Sequence, residues 1–291
     1  MTRKTLAQQR ARKDWDRQIE QICKDRQRGA VPLTKATIRL FLQMQRAQVP
    51  LPKIQSAAER IYLCHQAMAP LWHLARTIAQ GDGQILSARL RQFAVALDEQ
   101  SQRVVHRVAE RLVDGVILTH SFSSLVFKSL LRAKKLGKRV TILCTESRPG
   151  SEGVLLARRL TTEGLPVTLI PDIQAFSWMG ECHLFLIGAD ALLPDGVVHK
   201  VGTFAIAREA KRKKVPVWVV GTSLKVLPHR YQDAIKGQSS PLTHHSVPQD
   251  RTLYDLTPWN YVALLFMDDE IIKGSAVEQR LLDRGLSGGQ K

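Results

Sequence analysis

Residues 115–124, GVILTHSFSS, decide how this chain of 291 residues is read. A β-branched, apolar run, Val116-Ile117-Leu118, breaks off at Thr119 into a turn of hydroxyls and one histidine, and a long amphipathic segment follows. That pattern predicts a buried strand whose carboxyl end opens onto a helix N-terminus. In parallel α/β sheets such edges hold ligands. The same grammar recurs downstream, with short aliphatic runs at 140–143, 167–170, 183–187 and 217–220 and helices expected to begin near Ser124, Gly150, Ile173 and Val201. Gly137 and Gly164 stand where helix C-caps belong. Strand alternating with helix implies right-handed βαβ units and a parallel sheet covered on both faces.

Upstream, residues 1–105 show helical periodicity. Trp15, Ile19 and Ile22 mark a first helix, and a break at Gly29-Ala30-Val31-Pro32 precedes a second over 34–45, with Ile38, Leu40, Phe41 and Met44 on its apolar face. Pro50 and Pro52 are expected to end it. Further helices are expected over 54–66, 70–80 and 83–112, with a turn at Gly81-Asp82-Gly83. Beyond the sheet, 228–252 reads as a polar, proline-punctuated loop in which His244 and His245 are loop histidines rather than metal ligands. Strands are expected over 253–258 and 263–267, and a frayed tail at 286–291. The fold class is therefore α/β, with a helical domain over 1–105 and a sheet domain over 106–291.

Bulk properties narrow the function classes. No apolar run reaches the roughly 18–20 residues of a membrane helix, and the basic start is not followed by a signal-type apolar core, so a cytoplasmic protein with no membrane partner is expected. Cysteines 23, 64, 144 and 182 include no C-x-x-C pair and read as reduced, packed thiols. Lysine and arginine exceed aspartate and glutamate by 43 to 26, a net charge of +17 that attracts polyanions without identifying one. With no aromatic-interleaved motif, zinc-finger spacing or helix-turn-helix, no sequence-specific nucleic-acid partner is expected. No cofactor and no metal are expected.

The loops that follow the strands converge at one edge even when distant in sequence. After the first strand come Thr119, His120, Ser121, Ser123 and Ser124; after the second Thr145, Glu146, Ser147 and Arg148; after the third Asp172. The fourth is followed by Gly188, Ala189 and Asp190, with Lys200, Gly202 and Thr203 at the next helix start, and the fifth by Thr222, Ser223 and Lys225. Hydroxyls and helix-start amides donate to phosphate oxygens and Lys or Arg supplies countercharge, so the set suits a small phosphorylated ligand. Lys200-Val201-Gly202-Thr203 is the first-choice seat for the phosphate. Each hydroxyl taken singly also fits an ordinary helix cap. Neither a G-x-G-x-x-G turn after the first strand nor a G-x-x-x-x-G-K-[ST] loop occurs.

GVILTHSFSSLV, TESRPGSEG, EGLPVTLIPD, GADALLPDGVVHKVGT, KKVPVWVVG and YDLTPWNYV follow one another as in the regulatory α, β and δ subunits of translation initiation factor 2B. The sequence resembles that family over about 105–276. The superfamily includes methylthioribose-1-phosphate isomerase and ribose-1,5-bisphosphate isomerase. The resemblance implies a Rossmann-like C-terminal domain, dimerisation through it, and a sugar-phosphate or nucleoside-monophosphate pocket between the domains. It also implies a homodimer or larger homo-oligomer, or assembly with related subunits.

In the isomerases the first turn reads T-H-C-N, and its cysteine works with the aspartate of the G-A-D motif. Asp190 matches that aspartate, while Ser121 stands in place of the cysteine and Phe122 in place of the asparagine. His199 replaces an asparagine ahead of the retained Lys200, Ala69-Pro70 lacks the arginine of an R-P motif, and Arg28-Gly29-Ala30 resembles a phosphate-binding R-G-A loop. Cys144, inside the second strand's apolar run, reads as a packed thiol rather than a replacement. A serine hydroxyl is a far weaker acid than a thiol. The expectation is therefore a regulatory-subunit-like protein that binds a phosphorylated small molecule without turnover. The alternative is an aldose-ketose isomerase acting on a phosphorylated ribose through Asp190.

Overall fold

The computed structural model of the chain describes residues 3–25, 28–228, 242–244, 247–249 and 252–287. The chain divides into two compact units, Met1–Asp98 and Glu99–Lys291. The helical unit contains α1 (Arg3–Lys24), α2 (Ala30–Arg46), α3 (Leu51–Cys64), α4 (Ala69–Ala79) and the start of α5 (Leu86–Arg111). On α2 the buried residues Ala30, Leu33, Thr34, Thr37, Ile38, Phe41 and Met44 recur at helical spacing. Thr34 and Thr37 lie on that apolar face because their hydroxyls donate back to the Ala30 and Leu33 carbonyls, at 2.7 and 3.0 Å. The prolines act differently from expectation. Gln48 in the left-handed region (φ 55°) turns the chain after α2, and Pro52 sits in the first turn of α3, where a missing N–H costs nothing.

The sheet unit is built on seven strands in the order β12-β11-β7-β4-β1-β2-β3. Six of them are parallel: β1 (Gly115–Thr119), β2 (Val140–Thr145), β3 (Val167–Ile170), β4 (Leu184–Ile187), β7 (Val217–Val220) and β11 (Leu264–Phe266). β12 (Ile271–Lys273) runs antiparallel at one margin. Helices α6 (Ser124–Lys135), α7 (Glu152–Thr162), α8 (Gln174–Trp178), α9 (Thr203–Arg212) and a C-terminal helix, Gly274–Ser287, complete the unit.

Successive strand residues serve opposite faces. Leu118, Phe185, Ile187, Val217 and Val219 join one buried cluster with Ile206 and Ala210 of α9 and Val277 and Leu281 of the last helix. Ile117, Ile142, Cys144 and Leu186 join another with Val104 and Val108 of α5, Leu130 of α6 and Leu156 of α7. The central strands are buried on both faces, which is why they read as continuous apolar runs rather than alternating ones.

A second, antiparallel sheet was not legible in the sequence. β5 (Ala191–Leu193) and β6 (Gly196–Lys200) form a hairpin inserted after β4, and β10 (Tyr254–Thr257) pairs with β6. The strand expected over 253–258 thus belongs here and not to the parallel sheet, and Lys200 ends a strand instead of starting a helix. Short strands β8 (Leu242–His244) and β9 (Val247–Gln249) pair within the loop expected over 228–252; His245 and the rest of that loop, apart from Pro228 and Thr252, lie outside the described residues, as do residues 288–291 of the expected tail.

Candidate functional site

Strand order creates the site. The chain lays β2 and β3 to one side of β1 and then returns to place β4 on the other side. Connections that leave neighbouring strands in opposite directions open a crevice beyond their carboxyl ends. Thr119, His120 and Ser121 reach it from β1, and Gly188, Ala189 and Asp190 from β4. Gly188 is required there: a Cβ would lie 2.5 Å from Ser123 Cβ and 2.4 Å from its hydroxyl, so only glycine lets the 121–124 turn close over the end of β4.

The turn is held from the β2 side. Ser121 adopts the left-handed conformation (φ 67°) and its amide donates to Ser147 Oγ at 2.6 Å. Ser147 is itself left-handed (φ 65°), and its amide and that of Arg148 donate to the Asp172 carboxylate at 2.6 and 2.7 Å. Two non-glycine residues in that region are costly unless such bonds hold them. Ser123 caps α6, accepting from the Val126 amide at 3.4 Å.

His120 is buried with both nitrogens engaged. Nε2 faces the Val201 carbonyl at 2.9 Å and must donate, so Nδ1 accepts from the Thr145 hydroxyl at 2.6 Å. Burial pulls its pKa below the ordinary value, although the Asp172 carboxylate 4.0 Å away opposes this. His199 is also buried. The Thr203 hydroxyl donates to the Lys200 carbonyl at 2.5 Å, so the ring donates to Thr203 at 3.1 Å through Nδ1 and keeps an acceptor at Nε2. Burial, with His120 and two lysines nearby, holds its pKa well below the usual range. The centre thus carries two neutral imidazoles with ring centroids 6.5 Å apart.

Beside them lie two acids and two bases. Lys200 Nζ pairs with Glu152 Oε1 at 3.0 Å, from the end of β6 to the first turn of α7. Lys225 donates to the Ala189 carbonyl, and its attraction to Asp190 opposes the burial that lowers it to about 8. Asp190 is pushed up to about 6, first by burial, with Glu152 adding and the two lysines opposing. With all four ionised this cluster carries no net charge.

The expected phosphate seat is occupied from within the chain. Asp255, on β10 opposite His199, accepts from the Gly202 and Phe204 amides at 2.8 and 3.2 Å and so caps α9, while Lys200 is committed to Glu152. Glu152 and Asp255 are the residues the sequence reading did not select. Both lie in the motif segments SRPGSEG and YDLTPWN, but only the second sheet and the first turn of α7 show what they face. Of the remaining candidates, Thr119, Ser124 and Glu146 sit at this edge, and Arg148 is exposed with its guanidinium donating to Ser151 Oγ at 2.9 Å. Phe122 stacks with Phe127 beneath the Arg159 guanidinium. Arg28 belongs to the helical unit, where it pairs with Asp25. Among the described residues no group of three His, Cys, Asp or Glu is placed to hold a metal ion, and no helix is long and apolar enough to cross a membrane.

The sequence model of the initiation factor 2 subunit family matches residues 35–268. The chain belongs to that family. A translation initiation factor eIF-2B subunit 2-like protein of Pyrococcus horikoshii is 30% identical over 250 residues, 84% of this chain and 91% of the relative. A ribose 1,5-bisphosphate isomerase of Archaeoglobus fulgidus is 29% identical over 197 residues, 64% of this chain and 63% of that enzyme. Among solved structures, the translation initiation factor eIF-2B of P. horikoshii OT3 superposes with a TM-score of 0.84 at 28% identity, covering 89% of this chain and 97% of that one. Family members of both kinds, subunits and isomerases, therefore share this scaffold.

One consequence is a pH dependence of stability. Burial raises Asp255 from 3.8 to about 6 despite its two amide bonds. A carboxyl whose folded pKa is raised favours the fold most when protonated, below its unfolded pKa, and that contribution is lost as the pH rises through about 6. Stability is expected to fall by about 2–3 kcal/mol from this group between pH about 4 and about 6. Asp255→Asn should flatten that part of the profile in urea unfolding; an unchanged profile would show that Asp255 is not its source.

Proposed function

We propose that this protein is a regulatory-subunit-like member of its family, one that binds a sugar phosphate or nucleoside monophosphate at the carboxyl edge of the sheet and does not turn it over. The observation that carries this reading is the state of Ser121 and His120. Ser121 stands in place of the isomerases' cysteine, and the neighbouring histidine, the nearest base in sequence, has both ring nitrogens committed to Thr145 and Val201. A serine hydroxyl without an activating base is a poor proton donor or acceptor near neutral pH. With the start of α9 capped by Asp255, the phosphate is assigned to the turn 121–124 and the Arg148 side, where serine hydroxyls and an exposed guanidinium collect. Assembly with a second copy or a related subunit in the cytoplasm belongs to the same reading and is favoured by the subunit names of the relatives.

The alternative, an isomerase using Asp190 as acid or base, is favoured by the similarity to ribose 1,5-bisphosphate isomerase and by an Asp190 pKa near 6, suited to proton transfer near neutrality. Thermal unfolding with ribose 1,5-bisphosphate, methylthioribose 1-phosphate and nucleoside monophosphates separates the two. At a hundredfold excess over Kd, one of them should raise Tm by about 5–10 °C with no ketose formed. Ketose formation that Asp190→Asn abolishes would establish the enzyme instead, and no shift with any of them would remove the ligand.

A further inference from the structure

The four cysteines are scattered in sequence, yet two of them meet. Cys23 lies in the last turn of α1 and Cys64 closes α3, and the two helices pack together within the helical unit. Cys23 Sγ donates to the Arg60 carbonyl at 3.8 Å, the carbonyl one helical turn before Cys64, which brings the Cys23 thiol to the turn of α3 that carries Cys64. The juncture is clamped on either side. Arg60 pairs with Glu20, and His65 Nε2 donates to the Ile22 carbonyl at 2.8 Å, so the last turn of α1 is held against the end of α3. Cys144 and Cys182 lie in the sheet unit in separate hydrophobic clusters. Cys23 is buried and Cys64 only partly so, which makes Cys64 the more accessible of the two residues.

We propose that Cys23 and Cys64 form a reversible disulfide when the protein meets a hydroperoxide. The Cys64 sulfur attacks a peroxide oxygen; the S–O bond forms, the O–O bond breaks, and with hydrogen peroxide the departing oxygen leaves as water with the thiol proton. The Cys23 sulfur then attacks the Cys64 sulfenic acid, the S–S bond forms, the S–O bond breaks, and a second water leaves with the Cys23 proton. Two thiols lose two electrons, and one peroxide is reduced to two waters. Burial pushes the Cys23 thiol up to about 12, so Cys64 and not Cys23 is the sulfur that meets the peroxide first. The bond closes a loop containing α2 and α3, and cross-linking such a loop removes entropy from the unfolded chain.

The test uses the full chain treated with hydrogen peroxide, alkylated and digested without reductant. Mass spectrometry should find the Cys23 and Cys64 peptides joined, two hydrogens lighter than their sum, with Cys144 and Cys182 alkylated after denaturation. Oxidation should raise Tm by about 5–10 °C, and dithiothreitol should reverse the rise. Cys64→Ser should abolish both the link and the rise, and Cys23→Ala should leave Cys64 as a sulfenic or higher acid. Should Cys23→Ala fail to fold, the Cys64→Ser protein and the peptide map of the parent decide the matter. Cys64 oxidised to sulfinic acid while Cys23 remains a thiol, a link through Cys144 or Cys182, or a cross-link between two chains would each overturn the proposal.

Discussion

Replacing Lys200 with methionine is expected to destabilise the sheet unit by about 3–5 kcal/mol. The Lys200 side chain is 4% exposed and that of its partner Glu152 is 16% exposed, with 3.0 Å between Nζ and Oε1. Methionine fills much of the same volume but leaves the carboxylate without a countercharge, and Glu152 Oε2 is already buried with no hydrogen-bond partner among the described residues. Adding Glu152→Gln should recover most of the loss, because a neutral pair removes the desolvated charge that the single substitution strands. Urea unfolding of the parent, both single variants and the double variant measures this directly. A Lys200→Met protein within about 1 kcal/mol of the parent would show that water screens the pair as it does a surface salt bridge.

Gly153→Ala is expected to cost about 3 kcal/mol, the upper end for overpacking. A Cβ at this position would stand 1.8 Å from the Thr145 carbonyl oxygen and 2.8 Å from Ser147 Oγ. Backbone cannot swing aside as a side chain can, so the first turn of α7 would have to lift from the end of β2. That same turn carries Glu152, and Ser147 holds the amide of Ser121, so the displacement would reach the candidate site. Gly137→Ala serves as the comparison: nothing lies within 4 Å of its added Cβ, and its cost, about 1 kcal/mol, comes only from φ at +80°. If the two variants lost equal stability, the close approach of α7 to β2 would not be the cause.

Much of the fold was legible because its signals are local. Apolar runs of three to five residues, three of them broken by Thr-His-Ser, Thr-Glu-Ser and Gly-Thr-Ser, marked the five main strands, and the central strands proved to be buried on both faces. Gly137 and Gly164, at φ +80° and +69°, close their helices as expected. Lys214 does the same after α9 at φ 60°, and its sequence does not advertise it. The hairpin of β5 and β6, by contrast, lies in a stretch that read as a loop leading to a helix, because strands of three and five residues carry too little periodicity to stand out. β12 and the C-terminal helix after it were equally silent.

For the site, the sequence by itself determined which residues reach the carboxyl edge, since parallel strands place their following loops at one end. The resemblance to the isomerases, also carried by sequence, is what sets the Ser121 hydroxyl against their cysteine in the proposed reading. Only the tertiary structure decided how those groups are spent. Lys200 meets a glutamate 48 residues away, Asp255 reaches the start of α9 through a strand of another sheet, and Cys23 donates to a carbonyl of α3, the helix that ends at Cys64. Charge neutralisation and capping depend on distances of a few ångströms between segments far apart in the chain. Local periodicity records which face a residue lies on, whereas its partner there is set by how the elements pack.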